Sequence, residues 1–259
     1  SKLFIFIFAA LALGLAIYSP NIYKLYRLAN LYNEKTIARN FINIDNIFSN
    51  ISGPIPASEK PYIFEKKDFN LPEKYSFEGE ELDLKEGLSH FHTDGLIILH
   101  DGKMLFEDYW NGNTKDSKHI SFSVAKSYLS ALFGIAIDEG LIDSIDDNVT
   151  KYLEDFAGTG YEDVKIKNLL QMSSGIEFNE DYADPNSDIN KFSRASAKGQ
   201  SFRDFAKSLK NGREQGTYNH YVSLDTQVLA MILESVTDMP VREYLYKRIW
   251  NTIGTESDA

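Results

Sequence analysis

The spacing of hydrophobic and polar residues divides the chain into a short sheet-forming part and a longer helical part. Gly95–Trp110 predicts two strands, Leu96–Leu99 and Met104–Phe106. The Asp-Gly pair within His100–Lys103 suits the tight turn of a hairpin between them. A hairpin needs further strands to be stable, so we expect the partner strands after Ala259.

Helical spacing dominates from residue 123 onward. Ser123–Glu139 predicts a helix that ends before Gly140, and because it is apolar on almost every face, we expect it to be buried. Glu177–Gly199 is polar and is predicted to be irregular. The other predicted helical segments are a turn into a short helix at Asp146–Val149, then Lys165–Met172, Ser201–Lys210, Ser223–Thr237 and Val241–Trp250.

The first residues carry a membrane-targeting pattern. Leu3–Tyr18 is apolar and slightly short of the roughly 20 residues that span a bilayer. A small-x-small site ending at Ala16 leaves a cleaved signal peptide open, but the apolar run continues past that site, which favours a retained anchor. Lys24 and Arg27 compete with Lys2 in setting the orientation, and we expect a periplasmic or otherwise extracytoplasmic domain.

The region between this segment and the hairpin is predicted to be a stalk and a linker. Asn21–Asn50 has helical spacing, and the four prolines of Ile51–Glu80 indicate an extended linker. The predicted domains are a membrane anchor or signal segment (1–20), a helical stalk and linker (21–80), the N-terminal part of the main domain (81–149), a helical subdomain (150–216) and a truncated return to the main domain (217–259).

Composition limits the chemistry. A formal charge of −11 argues against nucleic acid as a partner, since an acidic surface repels it. The absence of cysteine excludes thiolate nucleophiles and disulfides, so covalent catalysis must use oxygen or nitrogen. His90 and His92 are interpreted as surface residues rather than ligands. We therefore expect no metal and no cofactor, and the sequence leaves the oligomeric state open.

Ser123 and Lys126 form a Ser-x-x-Lys motif at the start of the predicted apolar helix. Three residues make about one helical turn, so the lysine amine can reach the serine hydroxyl on the same face. The positive end of the helix favours the alkoxide, and burial of an amine favours the neutral form that accepts a proton. An N-capping serine with an exposed lysine is the structural alternative.

Four further segments follow one another along the chain: Ser121–Ser127, Asp138–Ile142, Leu169–Gly175 and Tyr221–Leu229. Together they resemble class C β-lactamase-related serine hydrolases, and above all the branch labelled 6-aminohexanoate-dimer hydrolases. The resemblance implies an α/β (α+β), β-lactamase/transpeptidase-like fold with an antiparallel sheet flanked by helices, a helical subdomain, and C-terminal strands that this chain lacks.

The resemblance also implies roles for individual residues. Tyr221 opens the family's Tyr-x-Ser motif and would share proton transfer with Lys126, and Ser223, which closes it, would contact the substrate. Tyr182 matches the substrate-facing tyrosine of a mobile loop in the amide-hydrolysing branch. By register, Ser193 falls where that branch has a carboxylate for a substrate amine. The family's third motif, which supplies an oxyanion-hole amide, is absent from this sequence.

These observations predict a serine hydrolase that acts on an amide or ester through an acyl-enzyme. Two alternatives stay open: a D,D-peptidase or penicillin-binding protein, and a non-catalytic membrane-tethered binding protein. A Ser-His-Asp triad with His119 or His220 is a further possibility.

Overall fold

The computed structural model describes residues 23, 26–27, 30–44, 53–197 and 199–259. Its chain divides into two compact units. The first contains the described residues up to Gly53, then Tyr62–Ile120 and Ala259, and the second contains Pro54–Pro61 and Ser121–Asp258. The bounds of the domains predicted from sequence stay predictions.

A three-stranded sheet lies in the first unit. Strand β4 (Gly95–His100) pairs antiparallel with β5 (Lys103–Tyr109), which confirms the predicted hairpin. Asp101 and Gly102 have φ values of 49° and 73°, as a two-residue hairpin turn requires. The short strand β1 (Glu65–Lys66) pairs with β5 in parallel, so the sheet is not purely antiparallel as predicted.

The linker prediction for Ile51–Glu80 is wrong in part. Strand β2 (Lys74–Phe77) pairs antiparallel with β3 (Glu80–Asp83), and helix α2 (Leu84–His90) follows. The turn between the strands contains Gly79 with a φ of 87°, a conformation that glycine adopts without strain. The prolines that suggested a linker lie outside the paired residues, so they do not prevent this hairpin.

The predicted helix over Asn21–Asn50 is wrong in part: the described residues Tyr23, Tyr26 and Arg27 are helical, but the helix does not continue through residues 30–36. Within residues 30–44, turns lead into a short helix α1, Ile37–Phe41. The side chain of Asn30 donates to the carbonyl of Tyr26 (2.8 Å), and that of Asn33 accepts from the amide of Lys35 (3.1 Å). Asparagine side chains that bond nearby backbone in this way favour turns over helix.

Two long helices organise the second unit: α3 (Ala125–Asp138) and α7 (Ser223–Thr237). Their predicted extents are confirmed, except that Ser123 lies in a short 3₁₀ turn before α3. The prediction that α3 is buried all round is wrong, because Ser127, Ala131 and Gly134 are exposed. The buried apolar residues of the two helices belong to one core, and they are Leu129, Leu132, Phe133, Ala136, Leu224, Val228, Leu229, Ile232 and Leu233.

Shorter helices complete the second unit. They are 3₁₀ turns at Phe122–Val124, Val149–Lys151 and Glu154–Phe156, α4 (Ile166–Leu170), α5 (Asp188–Ala197), α6 (Phe202–Ser208), α8 (Val241–Leu245) and a π-helical segment, Tyr246–Trp250. Helix α5 corrects the irregular segment predicted for Glu177–Gly199. Few residues of α5 are apolar, but they recur at helical spacing: Ile189 is buried, and Phe192, one turn later, packs against the same core.

The predicted membrane segment, residues 1–20, lies outside the described residues. Among the residues that the structure describes, no helix combines the length and apolar character needed to cross a bilayer.

Candidate active site

Ser123 lies at the exposed start of the α3 segment. It is the middle residue of the 3₁₀ turn Phe122–Val124, directly before the first residue of α3. Phe122 has a φ of 43°, a left-handed conformation that costs a bulky residue about 1–3 kcal/mol. Such strain beside an exposed hydroxyl is typical of functional sites. The positive end of the α3 dipole lies next to Ser123 and favours negative charge there.

Two side chains hydrogen-bond to the Ser123 hydroxyl. Lys126 Nζ donates to Oγ at 3.0 Å, and Tyr221 Oη donates to the same oxygen at 2.8 Å. The Lys126 ammonium also lies 5.2 Å from the centroid of the Tyr221 ring, within the range of a cation–π contact. The structure thus brings together all three residues predicted to be catalytic, although their roles remain predictions.

The packing of α3 and α7 explains how residues 98 positions apart meet. The apolar faces of both helices belong to one core, so the segments that precede the two helices are held near each other. Val222, between Tyr221 and α7, is buried and extended, with φ −130° and ψ 104°. Burial of Val222 leaves Tyr221 about 40% exposed, beside Ser123.

Ser223 and Tyr182, the two predicted substrate-contacting residues, meet at a carboxylate that the sequence did not single out as functional. Glu180 accepts from the Ser223 hydroxyl (2.5 Å), from the Ser223 backbone amide (3.1 Å) and from Tyr182 Oη (3.1 Å). The sequence shows Glu180 beside the loop tyrosine. Its pairing with Ser223, 43 residues later, depends on the fold and cannot be inferred from spacing.

Ser193 and His220 have hydrogen-bond partners of their own. Ser193 Oγ donates to the carbonyl of Ile189 (3.0 Å), within α5. The His220 ring Nε2 is 2.7 Å from the carbonyl oxygen of Phe178. In the described part of the chain, the hydrogen bonds to Ser123 Oγ come from Lys126 and Tyr221, so the triad alternative with His220 gains no support.

Asp225 lies on the opposite, buried side of the first turn of α7. It has no exposed surface, and it accepts a hydrogen bond from Tyr161 Oη at 3.1 Å. Burial, which outweighs the lowering effect of hydrogen bonds from Ser174 and Tyr161, raises the pKa of the Asp225 carboxyl to about 7, and the nearby charge of Glu180 contributes to the increase. A neutral aspartic acid is therefore the favoured form in this core below pH 7.

The described residues include no group of three histidines, cysteines or carboxylates that is suited to hold a metal ion. The chemistry that this geometry offers is that of an oxygen nucleophile with two proton-carrying neighbours. One neighbour can accept the Ser123 proton as Oγ attacks a carbonyl, while the other stabilises the charge that develops on Oγ.

Comparison with known proteins decides the family. The model of the family described as Beta-lactamase matches residues 84–258, more than half of the chain. The chain belongs to the beta-lactamase family. The 6-aminohexanoate-dimer hydrolase of Paenarthrobacter ureafaciens is 34% identical over 185 residues, which are 68% of this chain and 46% of that protein.

Two further similar proteins extend the comparison. An Escherichia coli K12 protein named as a candidate D-alanyl-D-alanine carboxypeptidase is 24% identical over 230 residues, 79% of this chain and 52% of that one. A solved structure of a candidate 6-aminohexanoate-dimer hydrolase from Bacillus anthracis superposes with a TM-score of 0.80 at 21% identity, and covers 88% of this chain and 62% of that one. This similarity confirms the β-lactamase/transpeptidase-like fold. The chain spans about half the length of the curated relatives that it matches.

Proposed function

We propose that this beta-lactamase family chain carries the nucleophile of a serine hydrolase that cleaves an amide or ester through an acyl-enzyme. One observation carries the proposal: Ser123 Oγ accepts hydrogen bonds from both Lys126 (3.0 Å) and Tyr221 (2.8 Å). A serine alkoxide is a strong nucleophile, but a free serine hydroxyl is weak at neutral pH. Activation requires a group within hydrogen-bond distance that can take the hydroxyl proton, and the side chains of Lys126 and Tyr221 both lie at that distance.

The reaction proceeds in two displacements. Ser123 Oγ bonds to the carbonyl carbon as its proton passes to Lys126 or Tyr221, and the same proton is then delivered to the departing amine or alcohol. Water next attacks the acyl-enzyme, gives its proton to the same pair, and the acid product leaves as Ser123 regains its hydrogen. Lys126 and Tyr221 thus act as base and acid in turn.

The relatives support an amide as the substrate. The Paenarthrobacter protein is named for hydrolysis of 6-aminohexanoate dimer. At position 193, however, this chain has serine, and its hydroxyl is bonded within its own helix. We therefore propose an amide or ester without requiring a charged amine beside the cleaved bond.

Hydrolysis of model substrates tests this function. The whole gene product that contains this sequence is incubated with p-nitrophenyl acetate and with a p-nitroanilide, and the release of the chromophore is compared with that of Ser123→Ala. We expect the variant to lose at least about 1,000-fold in rate. Equal rates in the two proteins would exclude Ser123 as the nucleophile, and rates no faster than in buffer alone would leave the non-catalytic binding alternative.

A D,D-peptidase is the second candidate, favoured by the similarity to the Escherichia coli protein. Both candidates require Ser123. A fluorescent penicillin that labels wild-type protein, but not Ser123→Ala, in competition with a D-alanyl-D-alanine peptide would favour the peptidase. Hydrolysis of other amides without penicillin labelling would favour the broader hydrolase.

We also propose that the apolar run Leu3–Tyr18 attaches the protein to a membrane, with the catalytic part outside the cytoplasm. The supporting observation is the sequence pattern alone. Fractionation of cells that express the gene product with and without residues 1–20 tests it. Loss of the protein from the membrane fraction on deletion is expected, and an unchanged distribution would exclude the anchor.

A further inference from the structure

Glu180 accepts three hydrogen bonds from two separate segments of the second unit. Two come from Ser223, through the hydroxyl (2.5 Å) and the backbone amide (3.1 Å), and the third comes from Tyr182 Oη (3.1 Å). A carboxylate with three donors is held in one orientation, and so are its donors. Glu180 therefore joins the first residue of α7 to the Tyr182 loop, residues 179–187, in which Glu180 itself lies.

The hydrogen bond to the Ser223 amide has a particular role at this helix. The first amides of a helix lack partners within it, and a side chain at the N-cap usually supplies one. The N-cap residue of α7 is Val222, which makes no side-chain capping bond. Glu180 supplies the missing acceptor from a distant segment, and its negative charge suits the positive end of the helix.

The loop that carries Glu180 keeps its shape through other contacts. At its base, the Asn179 amide donates to Asp188 Oδ2 (2.9 Å) and the Ile189 amide donates to the Asn179 carbonyl (3.1 Å).

A side chain of α5 also holds the loop. Asn190 Nδ2 donates to the carbonyls of Tyr182 (3.0 Å) and Asp184 (2.9 Å). Loss of the Glu180 carboxylate would release the link to α7 while these bonds remain.

Tyr221, which contacts the Ser123 hydroxyl, lies two residues before Ser223 in the chain, and Ser223 is the residue that Glu180 holds. Ser223 is held by Glu180, Val222 is buried, and Tyr221 places its hydroxyl 2.8 Å from Ser123 Oγ. Tyr221 is itself about 40% exposed, so packing holds its ring less firmly than it would hold a fully buried one. Its direction therefore depends on the backbone of Val222 and Ser223, whose orientation Glu180 restrains.

We propose that Glu180 is a positioning residue, which holds Tyr221 against Ser123 by tying the start of α7 to the Tyr182 loop. The inference rests on the proposed hydrolase function and deepens it. Glu180 does not contact Ser123, Lys126 or Tyr221 in the hydrogen bonds described, so its effect on the reaction passes through Ser223 and Val222. We expect the link between Glu180 and Ser223 to depend on the length of the Glu180 side chain more than on its charge.

Four variants, assayed with p-nitrophenyl acetate, distinguish the effect of the length of the Glu180 side chain from the effect of its charge. Glu180→Ala removes the link, and Glu180→Asp retracts the carboxylate by one methylene, so we expect both to lower kcat by about 10- to 100-fold with KM changed less than about threefold. Glu180→Gln can meet the same three groups if the hydroxyls rotate, and should stay within about fivefold of wild type. Asp181→Asn is the matched control and should match wild type, since among the described residues the Asp181 carboxylate accepts a local hydrogen bond from the Ala183 amide.

A double-mutant cycle with Tyr221→Phe tests the route of the effect. If Glu180 acts through the Tyr221 hydroxyl, Glu180→Asp should lower kcat by less than about threefold once that hydroxyl is gone. An equal loss in both backgrounds would overturn the proposal, since a general weakening of the fold lowers both alike. Thermal unfolding of each variant identifies any that do not fold at the assay temperature, and Glu180→Asp keeps the test available if Glu180→Ala is one of them.

The outcomes distinguish this inference from the proposed function. If wild-type protein neither hydrolyses the ester nor reacts with a fluorophosphonate at Ser123, the hydrolase proposal itself fails. If wild type is active and Glu180→Ala and Glu180→Asp match Asp181→Asn, only the positioning role is excluded.

Discussion

The start of α7 has an open, partly exposed side and a closed, buried side, and the polar side chains on the two sides differ in burial and in hydrogen-bond partners. On the open side, Tyr221 and Ser223 are at least partly exposed, and they hydrogen-bond to Ser123 and Glu180. On the closed side, Asp225 is fully buried and bonded to Tyr161. Only one residue, Leu224, separates Ser223 from Asp225.

This difference indicates what each group contributes. An exposed hydroxyl that bonds to another exposed hydroxyl adds little to stability, since water replaces it at small cost. A buried carboxyl affects the free energy of unfolding directly, because any change in its charge is felt in a medium of low polarity. Substitutions on the open side should therefore change activity at nearly constant stability, and substitutions on the closed side should change stability.

The largest effect is expected from Lys126→Met. The substitution keeps a side chain of similar length but removes the amine 3.0 Å from Ser123 Oγ, so we expect kcat/KM to fall by about 1,000-fold. Steady-state hydrolysis of p-nitrophenyl acetate measures this. Lys167→Met, at an exposed lysine on α4, is the control. A Lys126→Met protein with more than a tenth of wild-type activity would show that the amine takes no part in proton transfer.

Tyr221→Phe should have the next largest effect. The ring remains beside Lys126, but the hydroxyl 2.8 Å from Ser123 Oγ is lost, and we expect kcat/KM to fall by about 100-fold. Thermal unfolding should change little, since the phenol is partly exposed. Tyr218→Phe, at another exposed tyrosine, serves as the comparison and should keep full activity. Wild-type rates in Tyr221→Phe would assign the tyrosine a packing role.

Asp225→Asn tests the closed side through the pH dependence of stability. Because the pKa of Asp225 is raised in the folded protein, the folded state binds the proton more tightly than the unfolded state does. Its contribution to the free energy of unfolding is therefore complete below the unfolded pKa of about 3.9 and is lost as pH rises through about 7.

Urea unfolding at pH 5 and pH 8 measures this contribution. Relative to Asp225→Asn, which does not titrate, the wild-type protein should lose about 2–3 kcal/mol between the two pH values. Kinetic assays at constant pH should show a smaller effect than those of Lys126→Met or Tyr221→Phe. Parallel pH profiles for wild type and Asp225→Asn would mean that Asp225 is ionised at both pH values.

The sequence predicted the parts of the fold that depend on local signals. The β4–β5 hairpin follows from alternation and an Asp-Gly turn, and α7 begins and ends at the predicted residues. Helix α5 was missed because its contacts with the core involve few apolar residues within a polar stretch. The asparagine-rich segment before α1 was predicted to be helical because apolar spacing outweighed side-chain bonds that favour turns.

The residues of the candidate site also divide into those that local sequence signals predict and those that only the fold brings together. Ser123 and Lys126 are three residues apart in sequence, so their contact follows from helical geometry. Tyr221 could be placed only by family resemblance, since its contact with Ser123 spans 98 positions. Glu180 and Asp225 were not predicted, because a carboxylate in sequence shows neither its burial nor its long-range partners.

Covalent labelling of Ser123 tests the central claim most directly. The full gene product is treated with a fluorophosphonate, digested, and the modified peptide is located by mass spectrometry, with Ser123→Ala treated in parallel. We expect one adduct per molecule, on Ser123, and none in the variant. An adduct on another residue, equal labelling of both proteins, or no labelling of the folded wild type would contradict it.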